Sequence, residues 1–303
     1  MVGYLLVVVP ALVNVAFLTL LERKILGYVQ LRKGPNKVRF AGLLQPFADA
    51  VKLFLKESTF PETGNFLLFL VAPWSGLFLA LTVWRLVPLR EGALGIAFSS
   101  VLLLILLRFG VYSVLGAGWA SNRKYATIGG LRGVAQTVSY EVSLALFLFR
   151  VLLVPLSLSI GAVQASNLDV RVCLILAPLA ALWFISCLAE TNRTPFDFAE
   201  GERELVSGFN VEYGRGGFVL IFMAEYAMIL FLRVITSSLF WAGEAESPVL
   251  YLGLVALRGV WIWARATLPR YRYDKLIGLA WKRFLPVSLH FAALVSGVLL
   301  WVR

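Results

Sequence analysis

The segment from Glu190 to Tyr213 concentrates carboxylates, the side chains that accept and release protons near neutral pH when their surroundings raise their pKa. Its acidic residues are Glu190, Asp197, Glu200, Glu202, Glu204 and Glu212. Like charges this close repel one another, so some of these groups should have raised pKa values unless water solvates them well. The segment therefore indicates a proton-transfer site, and the plainer alternative is a solvated acidic loop.

Local signals predict a short helix inside this segment. Thr194 suits an N-cap, Pro195 suits the first helical position, and Asp197 lies three residues after the cap, as in a capping box. The predicted helix ends near Gly208 and places Asp197, Glu200 and Glu204 on one face, at i, i+3 and i+7.

Two further acids lie inside hydrophobic stretches. Glu141 is seven residues into one stretch and Glu225 is eight residues into another, so each should lie roughly 10 to 12 Å deep in the membrane. Acids at that depth usually face a bundle interior or a water-filled path. With Glu190, they suggest a proton path or charge-sensing chain, for which Arg108 and Arg258 are the expected counter-charges.

Two basic segments contain aromatic residues, from Leu21 to Asn36 and from Arg265 to Lys275. Both could simply be cationic collars that anchor helix ends at the membrane surface. Arginine beside tyrosine in the second segment also suits a flat amphipathic headgroup, such as that of a quinone or a phospholipid.

The elements that must position these groups are membrane-spanning helices. The chain has 303 residues, of which 60% are hydrophobic and 15% charged, a balance unlike that of soluble domains. We expect an all-α polytopic membrane protein forming a single membrane domain over 1–303, with an interfacial amphipathic helix at 43–57 that begins near Pro46. The eight predicted spans lie near 2–22, 66–88, 94–118, 134–158, 170–190, 217–241, 248–267 and 282–302.

The distribution of positive charge orients this bundle. The loops after the first, third, fifth and seventh spans, with their flanks, hold 20 of the 28 Lys and Arg residues, which places these long loops in the cytoplasm or matrix. Arg150 and Arg233 lie near the other side and can extend outward, so we assign them no role. The basic residues form no single stripe with interleaved aromatics, which argues against nucleic-acid binding.

Residues for redox or nucleotide chemistry are missing from the sequence. His290 has no metal ligand at suitable spacing, and Cys173 and Cys187 lie too far apart on one helix to pair. There is no dinucleotide fingerprint and no phosphate-binding loop. We therefore expect no metal and no cofactor on this chain, with redox groups supplied by partner subunits.

The segments described above, together with Trp119 to Asn122 and Leu131 to Val142, resemble the family of subunit 1 of NADH:ubiquinone oxidoreductase, or complex I. The resemblance runs almost end to end. It implies a core membrane subunit that helps to form the quinone chamber and couples quinone reduction to proton pumping. The quinone-lining residues that it implies are Arg23, Asp49, Ala50, Phe222, Arg270, Arg272, Tyr273 and Asp274.

The family's acidic path implies a proton-transfer role for a second set of residues. This set consists of Glu22, Glu141, Glu190, Asp197, Glu200, Glu202, Glu204, Glu212 and Glu225. The resemblance also implies ubiquinone as substrate, FMN and iron–sulfur clusters in partner subunits, and contacts with the peripheral arm, the antiporter-like arm and lipids. The location implied is the mitochondrial inner membrane, with a bacterial plasma membrane as the alternative.

Three other functions remain to be weighed. A stand-alone secondary transporter should have inverted repeats and broken spans, which the sequence does not show. A passive scaffold for a soluble redox arm should lack acids within its spans. Membrane-bound hydrogenases share the Glu22-Arg23-Lys24 region, and they differ from complex I in their partners.

Overall fold

The part of the chain that the structure describes is built from helices. The computed structural model describes residues 2–57, 60–87, 97–166, 176–241 and 248–302, and no strand occurs within them. The all-α prediction is therefore confirmed. The α-helices are α1 (Val2–Val29), α2 (Gln45–Leu55), α3 (Phe66–Val83), α4 (Ser99–Ala120), α5 (Lys124–Leu152), α6 (Ile160–Ser166), α7 (Ala177–Glu190), α8 (Glu202–Leu205), α9 (Arg215–Phe240), α10 (Pro248–Thr267), α11 (Tyr273–Leu279) and α12 (Leu285–Val302).

Five of the described helices are long and apolar enough to cross a membrane, so the chain is a multi-pass membrane protein. They are α1, α3 with its 3₁₀ extension to Leu86, α4, α5 and α9. The predicted total of eight spans is not confirmed by these five. The predicted span at 248–267 coincides with α10, and α7 covers the end of the span at 170–190, of which 170–175 lie outside the described residues. A π-turn at Ala280–Phe284 joins α11 to α12 across the start of the last predicted span.

Helix α5 and the fourth predicted span, 134–158, have different bounds. Helix α5 begins at Lys124, ten residues before the predicted 134. Polar residues such as Arg132 have favourable helix propensities, so the helix can continue beyond the apolar layer. It ends at Leu152, six residues before the predicted 158. The apolar residues that follow form a turn instead, in which the backbone N–H and hydroxyl of Ser100 both donate to the Leu158 carbonyl.

The predicted capping-box helix after Thr194 is wrong. Residues 191–201 are irregular, and the only α-helical turn before Gly208 is α8. Phe196 and Phe198 alternate with Asp197 and both enter the core, a spacing that an α-helix cannot provide. Phe196 packs on Tyr271, and Phe198 packs on Tyr273, so tertiary packing overrides the local helix signals here.

The long loops meet at one end of the bundle, as the predicted topology requires. The backbone N–H of Tyr271 donates to the Pro195 carbonyl at 3.0 Å, and that of Asn65 donates to the Ala120 carbonyl at 2.9 Å. Helix α2 lies at this end, carries Pro46 in its first turn and runs over Gln45–Leu55 within the predicted 43–57. Its location at the membrane interface stays a prediction. Its apolar face is largely uncovered, with Phe47 in edge contact with Phe17 of α1.

Candidate functional site

A buried arginine occupies the centre of the loop end. Only 9% of the Arg193 side chain is exposed, and its guanidinium lies 4.4 Å from the Tyr226 ring centroid and 3.9 Å from Oε2 of Glu225. Burial alone would lower the pKa of Arg193, but Tyr226, Glu225, Glu22 and Glu200 together raise it above its ordinary value. Arg193 is therefore the charged centre of a cluster of acids.

The cluster extends to Glu22 at the inner part of α1. The Tyr226 hydroxyl donates a 2.7 Å hydrogen bond to Glu22 Oε2, and the Arg265 guanidinium forms an ion pair with Glu22 Oε1. Tyr226 therefore contacts both Glu22 and Arg193. Through these contacts α1, α9, α10 and the 191–201 loop become one electrostatic unit.

A small cavity lies beside this unit, between α3, α4, α5, α7 and α9. Its volume is about 100 Å³, enough for about three water molecules. Most of its lining is apolar, but Glu225, Glu190, Thr191 and Asn192 supply polar groups to its wall. Because a buried water needs two to four polar partners, this group of side chains could hold a short water chain between Glu225 and Glu190.

Glu141 continues the series of acids beyond Glu190. Its carboxylate acts electrostatically on that of Glu190, and its Oε1 accepts a 3.0 Å hydrogen bond from Arg108 Nε. The prediction that Arg108 is a counter-charge to a deep acid is thus confirmed. Oε2 of Glu141 and Oε2 of Glu190 are both buried without a hydrogen-bond partner in the described part of the chain.

The assignments of two other membrane arginines were wrong. Arg258 contacts Asn14 Oδ1 at 3.4 Å and forms no ion pair among the described residues, because α10 presents it to α1 rather than to Glu141 or Glu225. Arg233, expected to reach outward, is buried, and its guanidinium lies 5.0 Å from the Trp261 ring centroid. Packing of α9 against α10 holds Arg233 inside the bundle.

The loop acids occupy different surroundings. Asp197 pairs with Arg270 at 2.9 Å, and burial raises its pKa although Arg270 opposes that effect. Glu200 Oε1 accepts a 3.2 Å hydrogen bond from Asn210. Both acids act electrostatically on Glu225.

Three predicted path residues lie elsewhere. Glu204 is exposed and pairs with Arg132 at 2.6 Å, while Glu212 pairs with Arg123 at 3.2 Å. Glu202 begins α8, and its side chain is outside what the structure describes. The path roles of these three acids stay predictions.

The predicted quinone residues form two groups. In the first, Arg23 of α1 pairs with Asp49 of α2 at 2.6 Å, next to the half-buried Ala50. Phe222 of α9 stands in an aromatic row between Phe218, at 4.3 Å, and Tyr226, at 6.4 Å between ring centroids.

The second group belongs to the segment after α10. Arg270 and Arg272 line a basic groove of about 780 Å³ with Lys275, Lys282 and Arg283. Arg272 pairs with Asp274 at the surface, and Tyr273 lies inward against Phe198. Glu22, next to Arg23 in sequence and bound to Arg265 before this segment, links the two groups.

Sequence reasoning missed Arg193, Tyr226 and Gln136. The amide nitrogen of the fully buried Gln136 donates to the carbonyls of Ala189 and Phe196, at 2.8 and 2.7 Å, and so holds the end of α7 and the acidic loop against α5. A glutamine within an otherwise apolar and small-residue helix face was the available signal. The signal for Arg193 was its being one of only two cations in the acid-rich segment from Glu190 to Tyr213.

Gln136→Leu should destabilise the loop end by about 1–3 kcal/mol, because two buried carbonyls lose their side-chain donor. The midpoint of thermal inactivation of the purified complex would measure this loss. Gln30→Leu, at an exposed position, is the control and should change the midpoint little. Equal midpoints for the two variants would contradict the role given to Gln136.

The fold and this site define a class: a multi-pass helical membrane protein whose loops close one end of the bundle over half-buried, ion-paired acids. A family model described as NADH dehydrogenase matches residues 2–296. NADH-ubiquinone oxidoreductase chain 1 of Aedes aegypti is 50% identical over 307 residues, covering 100% of this chain and 96% of that protein. The protein of the same name from Tetraodon nigroviridis is 50% identical over 290 residues, covering 93% and 89%. The chain therefore belongs to the NADH dehydrogenase family, as the motif resemblance predicted.

Proposed function

We propose that this chain is a core membrane subunit of proton-translocating NADH:ubiquinone oxidoreductase, in which it forms part of the quinone chamber and of the acidic path to the pumping subunits. The names of its relatives support the assignment to that enzyme. The observation that carries the coupling role is the sequence of acids from Asp197 and Glu200 through Glu225, across the small cavity, to Glu190 and Glu141. Ubiquinone is the substrate, and FMN and iron–sulfur clusters belong to partner subunits.

The quinone chamber is proposed from the elements that meet around Glu22. Helices α1, α2 and α9 contribute Arg23, Asp49, Ala50 and Phe222. The aromatic row that ends at Tyr226 offers flat apolar faces to a quinone ring. The Arg270 segment contributes cations at the same end of the bundle. A change of charge on a quinone bound here would act first on Glu22, Tyr226 and Arg193.

Coupling then follows from electrostatics. Arg193 faces Glu22 on the quinone side and Glu225 on the cavity side, so a proton gained or lost at Glu22 changes how strongly Arg193 stabilises the Glu225 carboxylate. Glu225 and Glu190 share the cavity, and Glu190 senses Glu141. A protonation change is thus transmitted from acid to acid through half-buried, electrostatically coupled groups.

Glu190→Gln and Glu225→Gln test this role in the intact complex. Each change removes one titrating group from the series, so coupled quinone reduction should fall by about 100-fold, the order of effect of losing a positioned proton-transfer group. NADH oxidation with quinone and proton uptake into proteoliposomes would be measured together. Glu62→Gln, at an exposed loop position, is the matched control. Full quinone reduction and pumping in both variants would reject the proposed path.

The location that goes with this function is the mitochondrial inner membrane. Its partners would be the quinone-reducing peripheral arm, the antiporter-like subunits and membrane lipids. Purification of the complex through this chain, followed by mass spectrometry, tests that assignment. Flavin and iron–sulfur partners are the expected result, and a nickel-hydrogenase set would contradict it.

A further inference from the structure

Two arginines lie inside the bundle between α1, α9 and α10, deeper in the membrane than Glu22. On α9, Arg233 follows Tyr226, the hydroxyl donor to Glu22, by seven residues. On α10, Arg258 precedes Arg265, the ion-pair partner of Glu22, by seven residues. Residues seven apart share a helix face and lie about 10 Å apart along its axis. Arg258 acts electrostatically on Arg233, which places the two cations near each other.

Arg233 is buried without acceptors for its donors. The residue is 3% exposed, and its Nε and Nη1 are buried with no hydrogen-bond partner in the described part of the chain. A guanidinium is always charged and has five N–H donors, so burying it without compensation is costly. The ring of Trp261, 5.0 Å from the guanidinium, attracts the cation but leaves those donors unpaired. Nε1 of Trp261 is itself buried without a partner in the same part of the chain.

The side chains around the two arginines do not balance their charge. The half-buried Arg258 reaches only the neutral Oδ1 of Asn14, at 3.4 Å. Glu22 acts electrostatically on Arg233, but its carboxylate already has Arg265 as an ion-pair partner. Neither Arg233 nor Arg258 forms an ion pair among the residues that the structure describes. Two positive charges in the bundle interior are therefore left without a counter-charge in that part.

The enclosure of Arg233 limits what can supply this counter-charge. Its unpaired Nε and Nη1 are out of contact with the bundle surface, so a lipid headgroup or the side chain of a partner helix cannot reach them. Water could accept their hydrogen bonds but would leave the positive charge unbalanced. A small anion both accepts hydrogen bonds and balances the charge.

We propose that Arg233 and Arg258 bind a small inorganic anion of the chloride class between α1, α9 and α10. The unpaired N–H of Trp261 is a third donor available to it. The anion would neutralise the interior two helical turns away from Glu22 and would hold α9 and α10 together by binding a cation from each. This site goes beyond the quinone and proton-transfer roles proposed above.

Bromide tests for the site directly, because it is similar to chloride in size and charge and scatters X-rays anomalously. Crystals of the intact complex exchanged into bromide should show an anomalous peak within hydrogen-bond reach of the guanidinium groups of Arg233 and Arg258. Arg233→Leu should remove this peak and leave bromide peaks elsewhere on the complex unchanged. No peak at the site in the unmodified complex would overturn the proposal. A peak that persists in Arg233→Leu would do so too, because it would show an adventitious ion only.

Thermal inactivation of the intact complex in chloride and in gluconate, at equal ionic strength, gives a second test. Gluconate is too large for an enclosed site, and a ligand that binds the folded state stabilises it by mass action. The inactivation midpoint should therefore be several degrees higher in chloride. Arg233→Leu should abolish this difference. In gluconate Arg233→Leu should be at least as stable as the unmodified complex, because it lacks a buried, unpaired cation. Equal midpoints of the unmodified complex in the two salts would overturn the proposal.

Arg150→Leu is the matched control. Arg150, near the end of α5, also has a buried Nε without a partner among the described residues, but α5 is not one of the three helices around the site. This variant should keep both the bromide peak and the chloride effect, and loss of both would contradict the assignment to Arg233 and Arg258. Neither test measures quinone reduction or pumping, so failure of the proposed proton path would leave the anion site standing, and the reverse also holds.

Discussion

Arg193→Gln is expected to destabilise the loop end of the bundle by about 3–5 kcal/mol, the usual cost of removing one partner from a buried ion pair. The loss is large because Arg193 is the ion-pair partner of Glu225 and a second cation near Glu22, and its guanidinium also stacks on Tyr226. Without it, the half-buried Glu225 stays beside Glu200 and Asp197 with no ion-pair partner among the described residues. The thermal inactivation midpoint and quinone reductase activity of the purified complex should both fall.

Two control variants test whether the loss of stability in Arg193→Gln comes from the buried charge cluster rather than from the loss of any ion pair. Arg123→Gln breaks the more exposed pair with Glu212 and should cost no more than about 1 kcal/mol. The double variant Arg193→Gln/Glu225→Gln removes both charges of the buried pair and should be more stable than Arg193→Gln alone. If Arg193→Gln behaves like Arg123→Gln, Arg193 is not the centre of the cluster.

The helices could be predicted from sequence because their signal is spread over many residues. A long apolar stretch has no alternative in a membrane but to satisfy its own backbone, and this requires a helix. The ends were harder, as Lys124 and Leu152 of α5 show, since hydropathy reports the apolar layer and not where helical hydrogen bonding stops. Polar turns can continue a helix into water, and apolar residues can leave it for a turn.

The acidic loop could not be predicted in detail because long-range contacts determine its path. Thr194, Pro195 and Asp197 give a consistent local helix signal, yet Phe196 and Phe198 gain more by packing on aromatic residues some 75 positions later in the chain. A short stretch of sequence around the loop therefore does not include the aromatic residues that determine its conformation. The same limitation hid Arg193, whose importance comes from Tyr226 and Glu225 on α9.

The predictions of which charged residues pair across helices were correct for Arg108 and wrong for Arg258, for a related reason. Depth along a helix can be counted from sequence, and Arg108 was correctly expected to be a counter-charge to a deep acid, which is Glu141. Rotation of each helix about its axis depends on packing, and this sent Arg258 to Asn14 and buried Arg233 against Trp261. The depth of a residue, without the rotation of its helix, therefore identifies residues that could pair but not those that do.

Gly208→Ala should have an effect comparable with that of Arg193→Gln, for a purely steric reason. Gly208 has a φ of +62°, in the left-handed region, and an added Cβ would lie 1.8 Å from the Ala199 carbonyl oxygen. The backbone cannot retreat easily, because the N–H of Phe209 donates to that same carbonyl, and a Cβ on Gly129 of α5 would lie only 2.8 Å from the Phe209 nitrogen. The backbone of the loop that contains Glu200 thus packs directly against the backbone of α5.

The expected cost of Gly208→Ala is about 3–5 kcal/mol, combining the left-handed conformation of a non-glycine residue with forced displacement of packed backbone. Less assembled complex and a lower thermal inactivation midpoint are the observable results. Gly216→Ala is the matched control, because a Cβ there meets nothing within 4 Å and alanine favours the helix it would join. Loss of stability confined to Gly208→Ala would show that the close approach of this loop to α5 requires glycine, and equal stability of the two variants would show that the loop can close another way.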